Sequence, residues 1–205
     1  MEKVAIAISL GGSIIIPEGK PNYQFLESLK KTIRKNYKNF KFAVVCGGGS
    51  IARKYIENLK KEGKSIKEQS LAGIMATRMN AQFMMQFFGK EANETIPLDM
   101  KEVKNQLKKN KIVFCGALRY APNETSDGTA AKLAHYLKSQ LINLTNVAGL
   151  YTSNPKTDKN AKFIPEISWK DFEKKALAIK YKPGQHFILD QKASTLICKH
   201  KIKTY

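Results

Sequence analysis

The stretch Val44-Val45-Cys46-Gly47-Gly48-Gly49-Ser50-Ile51-Ala52-Arg53 decides how this chain reads. An apolar run stops at three consecutive glycines, and a helix-like segment follows. Glycine loses more conformational freedom on folding than any other residue, so a triplet exceeds what a simple turn needs. Bare backbone between a strand and a helix lets an anion reach N–H groups, and the helix N-terminus favours negative charge. The same residues match the G-x-G-x-x-G/A dinucleotide fingerprint, with Ala52 last. That fingerprint belongs on the first strand–helix turn, with an acid about 20 residues on at a strand end. Here the triplet follows the second apolar run, and the acid at that spacing, Glu68, lies in the polar stretch KEGKSIKEQ. A dinucleotide site is therefore disfavoured. No G-x-x-x-x-G-K-[ST] is present either.

Outward from the triplet, strands and helices alternate. Val4–Leu10 reads as a strand ending at Gly11-Gly12, residues 42–46 as a second, residues 112–115 as a third ending at Gly116, and residues 140–144 as a fourth. Helices are predicted over 22–38, from Ser50 with Ser50 as N-cap, over 71–88, from Leu98-Asp99 with Asp99 as cap, and over 127–138 and 190–199. Residues 146–170 read as loop, and 202–205 as the start of a strand. This alternation predicts an α/β fold with a mostly parallel central sheet sandwiched between helices. Phe25, Leu29 and Ile33 form the apolar stripe of the first long helix, read as core against the sheet in preference to a dimer face.

Bulk properties narrow the class. The 205 residues are 42% hydrophobic and 26% charged, as in a globular protein able to bury a core. No apolar run reaches the ~20 residues of a membrane helix, and the N-terminus lacks a signal-peptide pattern. Cys46, Cys115 and Cys198 are widely spaced without a C-x-x-C, which predicts a reduced, cytoplasmic protein with no disulfide framework and no metal site. The net charge of +19 raises a nucleic-acid partner. Its distribution argues against one: 18 basic and 10 acidic residues in 1–105, 18 and 7 in 106–205, nearly all the bases lysine. Such a surface attracts anions such as nucleotides.

In open α/β sheets ligands bind beyond the carboxyl ends of the strands. Four predicted strand ends there carry Gly11-Gly12-Ser13, the triplet with Ser50, Gly116, and Thr145-Asn146. Two glycine turns suit a polyphosphate held from both sides, or two phosphorylated ligands meeting. Arg53, one helical turn past the triplet, is placed either to reach such a phosphate or on the surface. Thr125 and Ser126 offer hydroxyls and N–H groups, and Asp127 reads as an N-cap or a site acid. His135 reads as structural, and His186 and His200 have no metal-ligand partners at useful spacing.

Taken in order, GGS, VVCGGGSIARKYI, GIMATRMNAQFM, TSDGTAAKLAHYL and LTNVAGLYTSNPKTDKNAKFI resemble the amino acid kinase superfamily, and within it the archaeal-type uridylate (UMP) kinases. The resemblance covers nearly the whole chain as one domain, 1–205, with the family's C-terminal strand and helix missing or truncated. It implies phosphoryl transfer from ATP·Mg to UMP in pyrimidine nucleotide biosynthesis. Mg²⁺ would be carried by ATP, with no dedicated protein cage. Small nucleotides, no nucleic acid and no membrane, are the implied partners of a homohexamer built from dimers. The candidate catalytic residues are Asp127 and Arg53. ATP would meet Gly12, Ser13, Gly49, Arg53, Thr145, Tyr151 and Asn154, with Lys156 as a further cation. UMP would meet Gly48, Ser70 and the turn Ala117, Leu118, Arg119, Tyr120, Ala121, Pro122, Asn123, Glu124 and Thr125, with Arg78 as a further candidate. The chain departs from the family at Ser9 (a lysine in much of the superfamily), Ser70 (an acid), Asn154 (an aspartate) and Ala117 (a glycine). Alternatives of other kinds are another small-phosphate kinase of the superfamily, such as an isopentenyl phosphate kinase, and a catalytically weak nucleotide-binding regulator.

Overall fold

In the computed structural model, which describes residues 3–122, 124–178 and 189–205, the apolar runs become four parallel strands. These are β1 (Val4–Leu10), β2 (Phe40–Cys46), β3 (Ile112–Cys115) and β4 (Gln140–Leu144), in the order β3-β2-β1-β4. Strand side chains alternate between faces, and the sheet buries both. Ile6, Ile8, Leu10, Phe42, Val44, Ile112 and Phe114 form one core with α2 (Tyr23–Asn36) and α4 (Ile66–Phe88). Ala7, Ala43, Val45, Val113, Cys115 and Leu141 form the other, under α5 (Met100–Lys109), α6 (Ser126–Tyr136), α7 (Trp169–Leu177) and α8 (Gln191–His200). Ala7 and Ala43 meet Ala130, Ala131 and Ala134 of α6, and these short side chains let that helix lie close to the sheet. The predicted layered α/β architecture is the observed one.

The chain steps outward from β1 to β2 to β3, then returns to place β4 on the other side of β1. This reversal opens a crevice beyond the carboxyl ends of β1 and β4, the place where α/β sheets bind ligands. Two helices start there, the single turn α1 (Gly12–Ile15) after β1 and the longer α3 (Gly49–Lys61) after β2.

Several boundaries differ from expectation. Helix α3 starts at Gly49 with Gly48, not Ser50, as N-cap. Helix α4 starts five residues before its predicted position, because Ser65 and Glu68 form a reciprocal capping box. Helix α6 is capped by Thr125, whose hydroxyl accepts from Asp127 N, so Asp127 is not the cap. The predicted loop 146–170 holds a small antiparallel pair, β5 (Leu150–Tyr151) with β6 (Phe163–Ile164), and the start of α7. Leu26 and Ile33 of α2 are buried on the sheet, with Phe25 and Leu29 packed beside them, as read. The tail pairs in parallel beside β4: Leu141 N donates to Lys203 O at 2.9 Å, and Asn143 N to Tyr205 O at 2.8 Å. Cys46, Cys115 and Cys198 are free thiols, and burial pushes the Cys115 thiol up to about 12. The predicted structural role of His135 takes the form of a stack on His200, ring centroids 3.7 Å apart. His186 and Asn123 lie outside the described residues. No helix among the described residues is long and apolar enough to cross a membrane.

Candidate active site

The glycine turns meet each other. Gly47 N donates to Leu10 O at 2.8 Å and Gly11 N to Leu144 O at 2.9 Å, so the ladder continues past the strand ends and brings three turns together. A Cβ on Gly12 would overlap Gly49 N and Gly47 O. Gly49 stands at φ 63°, a conformation glycine adopts without strain. Backbone packing against the other turn thus accounts for much of the bareness of the triplet.

Helix α4 pins these turns from behind. Asn80, 2% exposed, donates to Gly47 O at 2.7 Å. Thr77 Oγ1 accepts from Ala117 N at 2.8 Å and donates to Ile74 O at 2.6 Å. The Arg78 side chain donates to Leu118 O at 2.8 Å, so this arginine holds the turn after β3 by the turn's backbone. One helix therefore fixes both the triplet and the loop opposite it. Sequence reading missed Thr77 and Asn80, because their partners lie 40 and 33 residues away.

The cleft so formed is lined by Gly11, Gly12 and Ser13, by Gly47 to Gly49, by Arg53, Ser70 and Thr77, by Ala117, Arg119, Tyr120, Ala121, Glu124 and Thr125, and by Ser126, Asp127, Thr145, Asn146 and Asp190. Most of the candidate residues are thereby brought to one place. Leu118 is buried behind the wall, and Pro122 is exposed with its carbonyl accepting from Lys192 at 3.0 Å. Tyr151 and Asn154 do not line the cleft. Tyr151 packs on Phe163 at 5.4 Å, and the Asn154 side chain accepts from Lys156 N at 3.0 Å to close its own turn.

The helix starts fall into two kinds by their capping. Six helices have a side-chain cap, from Asn22, Ser65, Asp99, Thr125, Ser168 and Asp190. Helices α1 and α3 have none, and neither carries an acid in its first turn. Gly12, Ser13 and Gly49 at these starts line the cleft, and the positive end of the longer helix α3 lies behind Gly49. Arg53 lies one turn inside α3, and burial lowers the pKa of its guanidinium.

Opposite these positive ends stand carboxylates. Asp127, half-buried at the cleft wall, accepts from Ser9 Oγ at 2.7 Å. Enclosure of its carboxyl, then the nearby Asp190 charge, push it up to about 7, against a smaller pull from Ser9. No cation among the described residues pairs with Asp127. Glu124 is neutralised by Lys132, with Lys192 at 3.7 Å. A short serine stands where a lysine would put its charge on this acid, which leaves an oxygen donor facing an anion site. That is the chemistry that suits a hard divalent cation arriving with a phosphate.

This cleft at a sheet reversal, with two uncapped helix starts and the Asp127–Asp190 pair of acids, has known counterparts. The amino acid kinase family model matches residues 5–205. The chain belongs to the amino acid kinase family. A uridylate kinase from Thermococcus kodakarensis is 33% identical over 201 residues, covering 98% of this chain and 88% of that protein. The crystal structure of uridylate kinase from Archaeoglobus fulgidus superposes with a TM-score of 0.81 at 32% identity, over 100% of this chain and 89% of that one. The UMP kinase of Bacillus anthracis has the same fold, with a TM-score of 0.79 at 20% identity, over 100% of this chain and 87% of that one.

Proposed function

We propose that this chain is a UMP kinase, moving the terminal phosphoryl group of ATP onto the phosphate of UMP to give UDP and ADP. The observation that carries this reading is the pair of uncapped, acid-free helix starts, α1 and α3, facing one cleft across packed glycine turns. The uridylate kinase relatives, with about a third of their residues identical, supply the acceptor.

The acceptor oxygen is already an anion at neutral pH, so no general base is required. Catalysis reduces to alignment and to neutralising charge that spreads over the phosphoryl oxygens in the transition state. On the donor side, N–H groups of Gly12, Ser13 and Gly49 and the Arg53 guanidinium hold ATP phosphates, and Thr145 bounds the nucleoside end. On the acceptor side, Gly48, Ser70, Ala117, Arg119 and Tyr120 enclose UMP. Mg²⁺ bound with ATP supplies charge neutralisation, and Asp127 is the carboxylate that would face it. Tyr151 and Asn154 stay candidates for the adenine end through the β5–β6 hairpin, not through the cleft wall.

The same reading includes self-association as a homohexamer built from dimers. Leu71, Met75 and Met79 repeat every four residues along α4 and are 43%, 61% and 69% exposed. This stripe suits contact with a second copy better than the inward face of α2. Met79→Glu is expected to reduce the sedimentation mass.

The function is tested by coupled ADP release with ATP·Mg and UMP, CMP, AMP or isopentenyl phosphate. Turnover with UMP above the others is expected. Nucleotide binding by calorimetry with no acceptor turned over would leave a regulatory homologue instead.

A further inference from the structure

Thr125 borders the cleft, yet it has nothing left to donate. Its N–H donates to Asp190 Oδ2 at 2.9 Å, and its hydroxyl proton goes to the same oxygen at 2.6 Å. The hydroxyl oxygen in turn accepts from Asp127 N at 3.2 Å. A directed chain therefore runs from the Asp127 amide through the Thr125 hydroxyl to Asp190. The other Asp190 oxygen accepts from Ala193 N at 2.6 Å, capping α8. Lys192, two residues on, adds its bond to Pro122 O and its approach to Glu124.

Capping does not explain a carboxylate here. Asparagine caps a helix as well as aspartate does. An acid 2% exposed and close to Asp127 also carries a like-charge cost that asparagine would avoid. What demands the carboxylate is the second oxygen, which takes two donors from one threonine. An amide there would keep the cap and turn its NH₂ toward Thr125, donor against donor.

We propose that Asp190 is a positioning residue: by taking both donors of Thr125 it ties the first turn of α8 to the acceptor loop and sets the start of α6, on which Asp127 stands. The inference rests on reading this cleft as a phosphoryl-transfer site. Thr125 then gives the acceptor phosphate no donor of its own. UMP must be held by other groups of a loop whose shape α8 fixes.

Asp190→Asn separates the two roles. The cap survives, so thermal stability is expected to stay at or above that of the unaltered chain. Hydrogen exchange at the Thr125 and Asp127 amides should speed up by roughly tenfold or more, with β1 unchanged. The KM for UMP should rise by roughly tenfold, with the KM for ATP within about twofold. The other charges about this pair, Glu124 with Lys132 and Lys192, are unchanged by the substitution. Lys192→Met should raise the KM for UMP more weakly, and Lys192→Arg should restore it. Unchanged exchange at Thr125 overturns the proposal, as does an equal rise in both KM values with lost stability. If the unaltered chain does not turn over UMP, the functional reading fails, and the exchange result still decides the clamp.

Discussion

The two ends of the sheet treat helix termini in opposite ways. At the carboxyl end, α1 and α3 begin without side-chain caps or acids, and their first residues line the cleft. At the amino end, the helix C-termini are closed by lysines. Lys3 donates to Tyr37 O at 2.6 Å, just past α2, and Lys41 donates to Leu107 O and Lys108 O at the end of α5. Lys60, Lys61, Lys108, Lys109, Lys174 and Lys175 all stand in last turns, where the helix dipole is negative. The large positive charge is therefore partly spent on the fold's own negative poles. The positive poles of α1 and α3 are left for a ligand. A helix end left bare is informative when the other ends are satisfied.

The strongest way to break this contrast is to add one methyl group at each end. Gly12→Ala has no room between the two turns, and is expected to cost more than about 4 kcal/mol or to prevent folding. Gly63→Ala, at the far end of α3 with φ 70° and open space around it, should cost only about 1 kcal/mol, from backbone strain. Urea denaturation of both variants checks this, and equal losses would refute the special packing of the site. The same geometry bears on Gly48, whose Cβ would overlap Ala52 Cβ, so valine there is expected to disturb α3 as well as any ligand in the cleft.

Asp127→Asn comes next. Turnover should fall by roughly 100-fold or more through lost charge at the transfer centre. Stability should respond in the other direction. The folded carboxyl keeps its proton up to about 7, against 3.8 for the free group. Its contribution is full below about 3.8 and is lost as pH rises through about 7. The asparagine variant should therefore gain most over the parent at pH 8 and little at pH 4, read by thermal melts at both.

Arg53→Ala should lower kcat/KM for ATP by roughly 10- to 100-fold, the range for losing a charge-assisted bond. The melting temperature should change little. A loss confined to UMP would place Arg53 on the acceptor side. The smallest effect tests an ordinary capped end: Ser65→Ala removes the α4 capping box and should cost about 1 kcal/mol with both KM values unchanged.

Legibility followed the range of each interaction. Strands β1, β2 and β3 were readable because both of their faces are largely buried, which makes each a nearly continuous apolar run. The early start of α4 was missed although Ser65 and Glu68 spell its signature, because polar residues before Leu71 hid the period. The segment Thr125-Ser126-Asp127 offers three capping residue types in a row, and only the fold selected Thr125. Strands β5 and β6 have two residues each, too few for any alternation to register.

The sequence by itself determined the α/β layering and the glycine turns at the strand ends, which rest on local periodicity and on residue types that chemistry restricts. Asp127 and Arg53 were singled out as catalytic candidates by the family resemblance. Only the tertiary structure decided what those glycines touch, which helix starts stay bare, and that Asn80, Thr77 and Asp190 hold the site. Each of these three partners is at least 33 residues distant along the chain. A hydrogen bond over that distance leaves no periodic trace, because its geometry exists only once the sheet has reversed and brought the turns together.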